Sequence, residues 1–101
     1  MDALEEYPDI EYVLATQEGV AMGMADGYAI ATGRPSFVNL HIETGLANGI
    51  SALYNAYRGG APVVLTAGNS DTRMLLSEPV LSGDLVEMTQ QFTKWLSLIH
   101  I

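Results

Sequence analysis

The stretch Gln17-Glu18-Gly-Val-Ala-Met-Gly-Met-Ala-Asp-Gly-Tyr-Ala-Ile-Ala31 contains no proline and ends at Thr32-Gly33-Arg34-Pro35. Glycine takes the left-handed cap and proline cannot continue the amide ladder, so this pair stops a helix. A helix over 17–31 follows. Outward from it lie short runs rich in β-branched and aromatic residues: Glu11-Tyr-Val-Leu-Ala15 before it and Ser36-Phe-Val-Asn-Leu-His41 after it. A second proline-free segment, Gly45 to Arg58, ends at Gly59-Gly60 and leads into Pro62-Val-Val-Leu-Thr66. Strand, helix, strand, helix, strand is the order of βαβ crossovers in a parallel sheet. The apolarity of the runs suits strands covered on both faces. The expected fold class is α/β: a three-layer sandwich with a parallel sheet of the doubly wound type. Weaker helices are expected over Asp2–Tyr7, stopped by Pro8, and over Gly83–Gln91. Residues 69–82 read as a loop with a short helix around Met74. Three strands make a thin sheet, so the chain is expected to be part of a larger domain.

Composition narrows the function. The 101 residues are 49% hydrophobic and 16% charged, which excludes a disordered tail. Twelve acidic residues against four scattered basic ones give a net charge of −8. A nucleic-acid binder needs a basic stripe, so no nucleic-acid partner is expected. The absence of cysteine removes disulfide frameworks and thiolate metal sites. Apolar stretches are broken well before the roughly 18 residues needed to span a bilayer, so no membrane partner is expected. Met1 is followed by Asp2-Ala-Leu-Glu-Glu6 rather than by basic residues, unlike a secretory signal. A soluble, cytoplasmic protein is the expectation.

Ligands of open parallel sheets bind at the carboxyl ends of the strands. Those ends collect Thr16, Gln17 and Glu18 after the first run, His41, Glu43, Thr44 and Gly45 after the second, and Thr66, Gly68 and Asn69 after the third. Glu18 opens a helix otherwise made of small and apolar residues. It serves either as a first-turn acid complementing the helix dipole or as a desolvated carboxylate able to hold a proton near neutral pH. His41 is either a hydrogen-bonded structural residue or a group that moves protons and binds a substrate carboxylate. The segment Gly45-Leu-Ala-Asn-Gly49 lacks the glycine spacing of a phosphate loop. No residues have metal-ligand spacing. Met22, Met24, Met74 and Met88 read as packing residues.

The string Gln17-Glu18-Gly-Val-Ala-Met-Gly-Met-Ala-Asp-Gly-Tyr-Ala29 with Thr32-Gly-Arg-Pro35 resembles the pyrimidine-binding (PYR) domain of thiamine diphosphate enzymes. The relevant group holds acetolactate synthase, pyruvate oxidase and benzoylformate decarboxylase. The likeness continues through Asn39-Leu-His-Ile-Glu-Thr-Gly-Leu-Ala-Asn48, Ala52-Leu-Tyr-Asn-Ala56, Pro62-Val-Val-Leu-Thr-Ala-Gly68 and Lys94-Trp95. Asn39-Leu-His41 is closer to the benzoylformate decarboxylase pattern than to the Gly-Pro-Gly-Ala-Thr-Asn turn of acetolactate synthases. Ile42-Glu43-Thr44 departs from the small residues of that pattern, and Glu43 in particular bears on the substrate.

The resemblance implies a chemistry. Glu18 would hydrogen-bond N1′ of the cofactor's aminopyrimidine and favour its imino tautomer, whose nitrogen removes the thiazolium proton. His41 would orient the carboxylate of a 2-oxo acid or protonate an intermediate. Gly45 and Asn48 match the turn that lies against the cofactor. Thiamine diphosphate with Mg²⁺ is the implied cofactor, the metal being held by a Gly-Asp-Gly…Asn motif that this sequence lacks. In the family that motif belongs to the diphosphate-binding domain of a second subunit, so a homodimer or homotetramer is implied. The chain alone would be inactive. Residues 1–95 are thus expected to be a partial PYR domain of a decarboxylase. An acetolactate synthase-like carboligase is one alternative, and a short non-catalytic subunit of a split enzyme another. Leu96-Ser-Leu-Ile-His-Ile101 has no family counterpart. These six residues are what CTG-TCT-CTT-ATA-CAC-ATC, a transposon-end adapter of sequencing libraries, encodes, so 96–101 are expected to be a non-native tail, a native apolar tail being the alternative; on either reading His100 is given no role.

Overall fold

A computed structural model of the chain describes residues 2–71, 73–74, 77 and 83–99. A 3-10 helix over Asp2–Glu6 precedes an irregular segment. The regular elements are α1 (Glu18–Thr32), β1 (Ser36–Leu40), α2 (Ile42–Gly59), β2 (Val63–Ala67) and α3 (Leu85–Thr89), the last continued by a 3-10 turn over Gln90–Phe92.

Local signals account for the helix ends. Gln17 caps α1, its side-chain oxygen accepting from the Val20 amide at 2.9 Å. Gly33 closes α1 with φ 67°, and Gly60 closes α2 with φ 70°; both are left-handed conformations that cost glycine nothing. Asp84 caps α3 by accepting from the Glu87 amide at 2.8 Å. α2 begins at Ile42, three residues ahead of the expected Gly45. Ile42 adopts φ 41°, which turns the backbone from strand to helix in one residue. The Gly45 amide then already donates to the His41 carbonyl at 2.9 Å.

β1 and β2 pair in parallel, with Ser36 opposite Val63 and Leu40 opposite Ala67, and α2 makes the crossover between them. Ser36, Val38 and Leu40 point into the core while Phe37 and Asn39 are exposed. Met22 and Ala25 of α1 join Val38, Leu40, Leu46 and Leu53 in one buried cluster, against which Leu85, Met88 and Phe92 lean. Met22 is fully buried, a side chain whose removal from water stabilises the fold by roughly 1.5–3 kcal/mol.

The fold class is α/β with a parallel sheet, as expected, but two details differ. Glu11–Ala15 is not a strand: it has no ladder partner among the described residues, and Leu14 is 70% exposed. β-branched composition only fits a residue to a paired surface; it does not supply the pair. The sheet is also covered on one face, with Phe37 69% and Val64 53% exposed on the other. The helix expected over 83–91 is realised as α3 and its 3-10 turn, and that over 2–7 as a 3-10 helix. Arg73 and Met74 lie in a turn and Ser77, of 3-10 conformation, donates its amide to the Met74 carbonyl at 3.0 Å, while Thr72, Leu75 and Leu76 around Met74 fall outside the described residues, as does His100. Among the described residues no helix is long and apolar enough to cross a membrane.

Candidate functional site

Three chain segments converge at the carboxyl end of β1: the first turn of α1, the turn at His41–Ile42, and the first turns of α2. Glu18 is the first residue of α1 and is half-buried. Asn48, on α2, donates from its side-chain Nδ2 to Glu18 Oε2 at 3.3 Å. Gly45 lies beside the carboxylate. A β-carbon there would stand 3.1 Å from Glu18 Oε1, 3.2 Å from Glu18 Cγ and 3.3 Å from His41 Cβ. The carboxylate and the base of the imidazole side chain therefore border the same glycine. Any larger residue at 45 would push into the carboxylate. Gly19 plays the matching part on α1, since a β-carbon there would lie 3.3 Å from the Asn48 carbonyl oxygen.

The four residues singled out from the sequence, Glu18, His41, Gly45 and Asn48, thus gather at one end of the sheet. His41 is exposed and takes the N-cap position of α2, where its side chain makes no cap hydrogen bond. Glu43 is half-buried, and its carboxylate packs against Gly83 at the approach to α3, so closely that a β-carbon at 83 would collide with it. The carboxyl end of β2 also reaches the site, with the Gly68 backbone near Ile42 Cγ2. Thr66 and Asn39, by contrast, form a cross-strand pair on the open face of the sheet, the Thr66 hydroxyl donating to Asn39 Oδ1 at 3.0 Å.

Two features had no sequence signal: the left-handed backbone of Ile42 and the amide–carboxylate bond between α1 and α2. A β-branched residue does not advertise a positive φ, and nothing in spacing pairs residues thirty apart. The clearest perturbed titrations lie elsewhere, in the exposed loop after β2. There the Arg73 guanidinium holds the Asp71 carboxyl below its usual range, and Asp71 in turn raises Arg73. That pair, with Nη2 and Oδ2 2.6 Å apart, joins neighbours two residues apart and orders a turn. Among the described residues no group of three histidine or acidic side chains stands close enough to hold a metal ion.

A parallel α/β unit with a carboxylate and a histidine at the carboxyl end of its first paired strand defines an open-sheet ligand-binding domain. Residues 1–95 match the family described as thiamine pyrophosphate enzyme, N-terminal TPP binding domain. The chain belongs to that family. It is 43% identical over 94 residues to the benzoylformate decarboxylase of Pseudomonas aeruginosa, a match covering 91% of this chain and 18% of that protein. Against the mitochondrial acetolactate synthase catalytic subunit of Saccharomyces cerevisiae it is 30% identical over 94 residues, 93% of this chain and 14% of the relative. Among solved structures, a thiamine diphosphate-dependent 4-hydroxybenzoylformate decarboxylase from Rhodococcus jostii superposes with a TM-score of 0.81 at 37% identity, covering 87% of this chain and 17% of that one. The chain spans less than a fifth of the length of these relatives.

Proposed function

We propose that this chain is the pyrimidine-binding part of a thiamine diphosphate-dependent 2-oxo acid decarboxylase, a carboxy-lyase, and that Glu18 is its cofactor-activating residue. The observation that carries the reading is the setting of Glu18. Its carboxylate is half-buried at a helix start, held on one oxygen by Asn48 and backed on the other by the bare backbone of Gly45. A carboxyl oxygen fixed beside side-chain-free backbone suits a flat nitrogen heterocycle whose ring nitrogen shares a proton with it. The residues present fit the aminopyrimidine of thiamine diphosphate.

With the cofactor bound, the Glu18 carboxyl would hold the proton shared with the ring nitrogen N1′. Gly45 keeps the approach open, and His41, at the exposed rim, binds the substrate carboxylate or passes a proton to the reacting carbon. Thiamine diphosphate, when bound, supplies the electron sink for loss of carbon dioxide from a 2-oxo acid. Mg²⁺ and the diphosphate are assigned to the diphosphate-binding domain of a second subunit, in a homodimer or homotetramer. The similarity to benzoylformate decarboxylase, at 43% identity, supports an aryl-substituted substrate. The 30% identity to acetolactate synthase supports a carboligase as the second reading.

In the complete enzyme that carries this chain, Glu18→Gln is expected to cut turnover by about 10²–10⁴-fold while the melting temperature is unchanged. Near-normal turnover would remove the assignment of Glu18. His41→Ala is expected to lower kcat/KM for aromatic 2-oxo acids. Unchanged kcat and KM there, with flavin-dependent activity on pyruvate, would move the enzyme to the carboligase class.

A further inference from the structure

The bond between Asn48 and Glu18 ties the first turn of α1 to the second turn of α2 across thirty residues of chain. A carboxylate can only accept, so the amide presents its NH₂ group to Oε2 and not its oxygen. The approach of the two helices is set by glycine on both sides. Gly19 leaves room for the Asn48 carbonyl, and Gly45 leaves room for Glu18 Oε1 and Cγ. One turn further along α2, Gly49 admits Met22 in the same way. At 3.3 Å the hydrogen bond is just longer than the usual N–H···O range of about 2.7–3.2 Å, so even a small separation of the helices would break it.

This arrangement divides the work of the two carboxylate oxygens. Glu18 is only half-buried, and packing alone does not fix a side chain with three rotatable bonds. Asn48 occupies Oε2, while Oε1 rests over the Gly45 backbone. We propose that Asn48 is the positioning residue of the cofactor site: it holds Glu18 by Oε2, so that Oε1 is the oxygen that meets the aminopyrimidine. It acts through Glu18 and does not itself touch the ring. The inference rests on the assignment of Glu18 to the cofactor, and its test separates the two.

The test uses the complete enzyme with Mg²⁺, reading thiamine diphosphate binding by calorimetry, melting temperature, and kcat and KM for a 2-oxo acid. Asn48→Ala is expected to lower kcat by about 10–100-fold, the scale of a misplaced reacting group, with KM for the 2-oxo acid and the melting temperature unchanged. Asn48→Asp, the same shape without the donor, is expected to do no better than Asn48→Ala, whereas Asn48→Gln, which keeps the donor, recovers part of the loss. In a Glu18→Gln background, Asn48→Ala is expected to change the cofactor dissociation constant by less than about twofold, because its partner is already altered. If Glu18→Gln leaves both binding and turnover intact, the underlying assignment fails. If Glu18→Gln is damaging while Asn48→Ala or Asn48→Asp is silent, only the positioning role fails. Losses that multiply in the double variant would likewise overturn it, since they would make Asn48 a direct ligand of the cofactor.

Discussion

Ile42 holds a backbone conformation that its side chain resists. Its φ of 41° is left-handed, which costs an L-residue roughly 1–2 kcal/mol and sits worst with a β-branched one. The strain falls where β1 becomes α2, immediately after His41, and strained residues of this kind gather at functional turns. The usual helix ranking places Ala about 1 kcal/mol above Gly. At position 42 the order should invert, with Ile42→Gly more stable than Ile42→Ala by about 1 kcal/mol in urea titrations. An alanine variant more stable than the glycine one would show that the turn carries no such strain. At this scale the sequence singles out residues that the fold brings together, but not how they touch. Glu18, His41 and Gly45 stand out as strand-end groups and Asn48 through the family resemblance alone; Glu18 and His41 border Gly45, and Asn48 reaches Glu18. That Asn48 engages Glu18 was not legible, because a contact between two helices depends on how they cross.

Among the elements, what was encoded locally was read well and what depends on distant partners was not. Gly33 and Gly60 end their helices where glycine spacing placed them, since a left-handed cap is decided by one residue. β1 and β2 fall within a residue of their expected bounds. Glu11–Ala15 has comparable composition but no neighbour to pair with, and composition cannot reveal a missing ladder. The glycines of α1 and α2 also divide by environment rather than by sequence. A β-carbon at Gly49 would lie 2.7 Å from Leu40 Cδ1 and 3.1 Å from Met22 Cγ, in the middle of the core. Gly49→Ala should therefore destabilise the fold by about 1–3 kcal/mol through overpacking. Gly23, with nothing within 4 Å of an added β-carbon, should behave oppositely, Gly23→Ala adding about 0.5–1 kcal/mol through helix propensity alone. Chemical denaturation of the two variants side by side decides the matter; equal effects would mean that α1 and α2 do not meet as described.

The whole molecule presents one end of the sheet where Glu18, His41 and Asn48 gather, and large apolar surfaces. Phe37 and Val64 lie bare on the open face of the sheet, and Val20, Met24 and Tyr28 are exposed along α1. The apolar character of the strands, read from sequence as burial on both faces, is met by cover on one. The same composition serves a surface that closes against other protein and one that closes within the chain, so sequence does not distinguish them. The chain matches less than a fifth of each relative, so the proposed activity is tested in the complete enzyme. The central claim, that the Glu18 carboxylate activates thiamine diphosphate, is tested most directly by the rate of hydrogen–deuterium exchange at the thiazolium C2 of the bound cofactor. That rate is compared in the complete enzyme and its Glu18→Gln variant by quenched-flow NMR. Exchange is expected to slow by about 10²–10⁴-fold in the variant at an unchanged melting temperature. Exchange within about twofold of the unaltered enzyme would contradict it.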